Sequence, residues 1–228
     1  MWFLHNKIEF ADIFIGLIVR VLTAFFIIPL HEYAHGLAAY KLGDKSAKYM
    51  GRLSLNPLAH IDPIGAIGLL LFGFGWAKPV PVDSRYFKNP KWGMALTALA
   101  GPAANFLAAL VGGVLLNLIC VFQGFFDPFI FNLLNLFLSH YLAINVSLAI
   151  FNLIPIPPLD GSRVLIAFLP ERILYQYYYY ERYISILGML LLFRGFVYGN
   201  GSSLINLREA CVRLIVWVTK LPFYLGRC

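Results

Sequence analysis

Residues 11–36 read ADIFIGLIVRVLTAFFIIPLHEYAHG. The run from Ala11 to Leu30 is apolar apart from Asp12, Arg20 and Thr23, and about 20 such residues make a helix long enough to cross a bilayer core of about 30 Å. His31, Glu32 and His35 follow without a break. On a helix, residues four apart share a face, so both imidazoles can reach one point while the carboxylate stays beside them. The pattern predicts a helix continuing from the apolar run through HEYAHGLAAYKLG to Gly43. Arg20 within the span is costly in lipid and should face protein or water, or snorkel.

Composition sets the class. The chain has 228 residues, of which 60% are hydrophobic and 13% charged, against about 25% charged in a soluble domain. Its mean hydropathy is +0.75. A chain so poor in polar groups cannot cover a soluble surface, so the expected fold is an all-α polytopic membrane protein. Residues 1–228 read as one membrane-embedded domain, with a core at about 11–170 and C-terminal helices at about 171–228. The net charge of +7 points to topology and anionic lipid, and no nucleic-acid-binding motif accompanies it. Cys120, Cys211 and Cys228 form no CxxC, which argues against a disulfide framework or a cysteine metal site. The N-terminus lacks the basic start and small-residue cleavage site of a secretory signal, so the first span is expected to be retained.

About four to six membrane segments are expected. Lys41–Pro63 is polar and turn-rich, with Tyr49–Leu55 a candidate short strand. Ile64–Trp76 is apolar but too short to cross, and reads as re-entrant or peripheral. Gly93–Phe122 and Phe129–Ile154 are full spans, joined by a short loop. Tyr183–Tyr198 can span with tilt around Arg194. Gly199–Ser203 is a loop, and Leu204–Cys228 is a basic amphipathic stretch that can lie on the membrane or cross it. No internal repeat is visible.

Charge fixes an orientation. Residues 41–92 carry eight Lys or Arg, residues 123–128 none and residues 159–182 three. The positive-inside rule puts the first and third segments on the cytoplasmic side. HEYAHG and the proline-rich end of the later span, NLIPIPPLDG, then lie at similar depth on one face.

That coincidence bears on chemistry. HExxH on a helix is the zinc-binding pattern of metallohydrolases: two imidazoles bind, and the Glu exchanges protons with water and the leaving amine. A catalytic zinc takes three protein ligands, so one is missing. Asp160 is the acid placed at the right depth; alternatively it caps the helix starting at Gly161. Asn105 in AGPAANF, and Asn152 with Asn145 near the end of their span, can bind a substrate carbonyl or act as interhelical glue. His60 and Asp62 can pair behind the site or stabilise a turn. The stretch FGFGWAKPVPV, with Pro79 and Pro81, suits a small β-hairpin or extended element near the site, able to receive an unwound substrate strand, or a plain interfacial loop.

HEYAHG at 31–36, GRLSLNPLAHIDPIG at 51–65, GFGWAKPVPV at 73–82, AGPAANF at 100–106 and FNLIPIPPLDG at 151–161 together resemble the site-2 protease family of intramembrane zinc metalloproteases. The resemblance covers most of residues 15–170 and is closest to the compact bacterial branch without PDZ or CBS domains. It implies a single zinc ion held by His31, His35 and Asp160, with Glu32 as catalytic base. Asn152 would steady the scissile carbonyl, and Asn105 falls on a family position of less defined role. It further implies a bacterial inner-membrane protein with its site toward the cytoplasm, acting on membrane-anchored proteins. A zinc-binding scaffold for transmembrane helices is the alternative, although such a protein would not need Glu32. A small-solute transporter is a third reading, usually marked by inverted repeats.

Overall fold

The computed structural model describes residues 17–18, 21, 23–72, 76–198 and 202–220. Most of the first apolar run, Arg20 and residues 73–75, 199–201 and 221–228 lie outside the described residues.

A π-helical turn, Thr23–Ile27, leads into α1, Ile28–Leu42. Pro29 accounts for the change of pitch. It brings no N–H, and its ring crowds the carbonyl four residues earlier, so the helical ladder loosens just ahead of His31. The helix ends as the sequence predicts: the N–H of Gly43 caps the carbonyls of Ala39 and Tyr40. A short helix, α2 (Ser46–Tyr49), follows.

Tyr49–Leu55 is not a strand. Tyr49 closes α2, and the amides of Met50, Gly51, Arg52 and Leu53 turn back to the carbonyls of Ser46, Lys48, Ala47 and Ala47. Those donors are spent locally, and no neighbouring strand among the described residues offers a ladder. The small β-hairpin is likewise not formed among the described residues. One isolated antiparallel bridge joins Ile61 to Ala77.

Helix α3, Pro63–Phe72, has 10 residues, or about 15 Å, half a bilayer core. The two long apolar helices begin alike, with a capping side chain followed by proline. Asn89 accepts from the N–H of Trp92 ahead of α4 (Pro90–Val121), and Asp127 accepts from that of Phe129 ahead of α5 (Pro128–Asn152). Both are long and apolar enough to cross a membrane, and only 33% and 28% of their most apolar windows are buried. The central helix of a soluble protein would be mostly covered; these present apolar surface outward.

A turn over residues 153–159 leads to α6 (Asp160–Phe168), and α7 (Glu171–Tyr198) and α8 (Ser202–Lys220) complete the described chain. Helix α4 is central, packing against α1, α5, α6 and α8. Ala109 of α4, Leu142 and Val146 of α5 and Ile215 of α8 form a core cluster. Helix α8, within the amphipathic C-terminal stretch, is thus docked along α4 and α5. Lys91, in the first turn of α4, reaches the carbonyl of Leu169 at 2.9 Å and Glu171 at 3.0 Å. Trp92 stacks edge-on with Phe168. These contacts set α6 against the start of α4.

Candidate metal centre

His31 and His35 project from the same face of α1 and are 9% and 8% exposed. Their Nε2 atoms lie 3.0 Å apart, and the rings meet at 87°. Asp160 places Oδ2 3.2 Å from His31 Nε2 and 3.3 Å from His35 Nε2. Three potential ligand atoms from two distant parts of the sequence therefore converge.

The capping alternative for Asp160 is resolved. Helix α6 begins at Asp160 itself, and Leu159, which occupies the cap position, makes no side-chain capping bond. The carboxylate is left for the histidines. Gly161 allows this placement: a Cβ there would come 2.3 Å from the carbonyl oxygen of Leu153.

The donors fit a zinc ion. Oδ2 of Asp160 is buried yet accepts no well-formed hydrogen bond, despite two imidazole nitrogens within 3.3 Å. A cation between the three atoms resolves that conflict. Zinc bound at about 2.0–2.1 Å in a tetrahedron sets its ligands about 3.3 Å apart, close to the triangle observed. Two nitrogens and one oxygen form a donor set of the catalytic type, which leaves a fourth position for water or substrate.

The outer nitrogens are also engaged. Nδ1 of His35 lies 2.7 Å from the carbonyl oxygen of Thr97 on α4. A proton on Nδ1 donated to that carbonyl leaves the Nε2 lone pair directed at the site. Asn105, fully buried on the same helix, sets its amide 3.2 Å from Nδ1 of His31. Between them, Gly101 faces the rings. A Cβ there would come 2.4 Å from His35 Nε2 and 2.6 Å from His31 Cε1, so only glycine lets α4 approach this closely.

Glu32 is half-buried beside the histidines, and its Oε2 accepts the N–H of Val80 at 3.0 Å. Val80 lies in an extended segment fixed at three points. Lys78 N–H donates to the His60 carbonyl at 2.8 Å, Val80 to Glu32, and Asp83 N–H to Asp44 Oδ2 at 2.7 Å. Asp44, which composition alone would place in solvent, is fully buried, and it also accepts the N–H of Ser46. Arg85 forks onto Asp83 at 2.6 Å and holds its carboxyl below the ordinary carboxylate range.

Other candidates have separate partners. His60 binds the carbonyl of Ser54 at 2.7 Å while Asp62 accepts from Gly65 at the start of α3, so both stabilise turns. Asn145 bonds within its own helix, to the carbonyl of Tyr141. Asn152 sits half-buried at the last residue of α5 and makes no hydrogen bond to the metal cluster. Sequence reasoning missed Thr97, which acts through its backbone, and Gly101, which acts by what it lacks. It also missed the contact of Val80 with Glu32.

The profile of peptidase family M50 matches residues 19–194. The chain belongs to that family. Among M50 relatives, "Putative zinc metalloprotease YwhC" of Bacillus subtilis is 42% identical over 149 residues, 65% of this chain and 67% of its own length. "Putative zinc metalloprotease Rip2" of Mycolicibacterium smegmatis is 31% identical over 164 residues, 67% of this chain and 58% of Rip2. "Zinc metalloprotease MJ0392" of Methanocaldococcus jannaschii is 29% identical over 170 residues, 74% of this chain and 38% of its own. The chain thus matches less than two thirds of the latter two relatives. No solved structure matches significantly. The M50 assignment and the names of these relatives support a zinc metalloprotease, and the His31, His35 and Asp160 group could hold the ion.

Proposed function

We propose that this M50 chain hydrolyses a peptide bond within or next to the transmembrane segment of membrane-anchored proteins. The observation that carries the reading is the position of Asp160. It follows the apolar helix α5 through a short turn and meets the HEYAHG histidines beside a second bilayer-length helix, α4.

His31, His35 and Asp160 hold the zinc, and Glu32 is the base. The ion, when bound, supplies the Lewis acidity that makes water nucleophilic near neutral pH. Glu32 takes a proton from the attacking water and returns it to the leaving amine. One of its oxygens is held by Val80, which limits the rotation of the carboxylate. In this reading Asn152, the last residue of α5, binds the scissile carbonyl or the charge that develops on it. Residues 76–82 offer an extended backbone along which an unwound substrate strand can align. In this reading the chain is an integral protein of the bacterial inner membrane. Its catalytic end lies on the cytoplasmic side, as the lysines and arginines of residues 41–92 favour.

The test is purified protein in liposomes with a single-span reporter. Wild type should cleave the reporter, and Glu32→Gln should keep zinc yet lose at least about a hundredfold in rate. Reporter binding without cleavage by the zinc-loaded wild type would favour a helix-binding scaffold and overturn the proteolytic reading.

A further inference from the structure

We infer that Asn105 is a positioning residue that fixes the orientation and tautomer of His31 so that its Nε2 can bind metal; this rests on His31 being a zinc ligand. Two features of one side chain carry it. The amide nitrogen of Asn105 lies 3.2 Å from Nδ1 of His31, and the amide oxygen is fully buried with no hydrogen-bond partner. If the nitrogen donates to Nδ1, the imidazole proton is driven to Nε2, which then points a hydrogen at the site and cannot ligate.

A half-turn of the amide gives the oxygen a donor and frees Nε2 of His31, and it moves the amide nitrogen to the buried position that the oxygen holds now. The two ends of an asparagine amide have nearly the same shape, and the hydrogen-bond network decides which end points where. With oxygen toward the ring, Nδ1–H of His31 donates to Oδ1. The orphaned acceptor is satisfied, and the Nε2 lone pair faces Asp160 and His35. His35 already follows this scheme, its Nδ1 lying 2.7 Å from the carbonyl of Thr97.

Asn105 and Thr97 are eight residues apart on α4, two turns on one face, with Gly101 midway between them. One helix thus carries both outer acceptors and the gap that admits the rings. His31 receives a side-chain acceptor because the Thr97 carbonyl already serves its neighbour. An amide end can also swing with the ring where a backbone carbonyl cannot.

The test is zinc affinity by chelator competition on the purified full chain in detergent, for wild type, Asn105→Leu and Asn105→Asp. Removing an outer hydrogen-bond partner of a ligating histidine weakens metal binding by about 10–100-fold. The leucine variant should lose that much, and the aspartate variant, which can accept from Nδ1–H, should recover most of it. Should leucine prevent folding, alanine replaces it without added bulk. Wild-type affinity in the leucine or alanine variant would overturn the inference. So would equal weakness of aspartate and leucine, because a packing role alone predicts that pattern. A wild type that binds no zinc would defeat the ligand assignment itself, and separates that failure from failure of the Asn105 role.

Discussion

The carboxylate of Glu32 accepts the backbone N–H of Val80 at 3.0 Å. Residues 79 and 81 are both proline, so Val80 supplies the sole amide hydrogen of that triplet, and it is given to the catalytic candidate. Charge-assisted hydrogen bonds contribute about 1.5–3 kcal/mol. Val80→Pro removes the donor without touching a proposed ligand. It is expected to lower kcat by roughly ten- to a hundredfold while zinc content stays at the wild-type level. Unchanged kcat in steady-state cleavage of the reporter would show that this bond does not hold the base.

Gly101 makes a steric prediction. A methyl group at 101 would come within 2.6 Å of both histidine rings, and these atoms belong to rigid rings held by their own partners. Gly101→Ala should therefore reduce zinc affinity by at least about tenfold, an effect of the size that outer-shell changes produce. Chelator competition reads it directly. Wild-type affinity in the alanine variant would mean that α4 can retreat without cost to the site.

Asp160 should show graded behaviour. Asp160→Ala removes an oxygen donor and is expected to lower zinc occupancy steeply, whereas Asp160→Asn keeps an oxygen but loses the charge and should fall between alanine and wild type. Elemental analysis after dialysis against a weak chelator distinguishes the three. Stripping zinc from wild type should abolish cleavage, and adding it back should restore it. Full zinc retention by the alanine variant would exclude Asp160 as a ligand.

Asn117 tests the scaffold apart from the chemistry. Its amide donates to Thr219 Oγ1 at 2.8 Å and to the carbonyl of Val216 at 3.3 Å, joining α4 to α8. Interhelical hydrogen bonds in membranes are worth about 0.6 kcal/mol on average and up to about 1.7 kcal/mol. Asn117→Ala should cost about 1 kcal/mol of stability in denaturant unfolding from mixed micelles, with zinc affinity unchanged. A loss of zinc affinity would show that the α4–α8 contact reaches the metal centre.

Much of this architecture is legible in the sequence because helices advertise themselves. The spacing of His31 and His35, the two long apolar runs and the Gly43 stop are local signals, and the structure follows them; the capped Asn89–Pro90 and Asp127–Pro128 starts lie three residues and one residue ahead of the predicted Gly93 and Phe129. Asp160 is harder, since no local pattern ties it to His31. Charge asymmetry brought the two to similar depth, and the turn after Asn152 does the rest. What stayed hidden acts without a distinctive side chain: the Thr97 carbonyl, the missing Cβ of Gly101, the N–H of Val80. Tyr49–Leu55 misled because its composition suits a strand, yet a strand needs a partner and none is adjacent. Asp44 is a lone carboxylate in a polar loop, where exposure to solvent is the rule. Here it collects two backbone amides, a pairing that sequence spacing does not reveal.

The carboxylate that meets the histidines arrives on α6, long after α1 has left the ribosome. Until that helix docks, the nascent chain holds the two imidazoles without the carboxylate that meets them, so the proposed metal cradle is incomplete. Once the cradle closes, a bound ion would clasp the opening and later portions of the polypeptide together. Metal loading would then report correct assembly, and a molecule inserted with α6 on the wrong side would remain inert rather than become an unregulated protease.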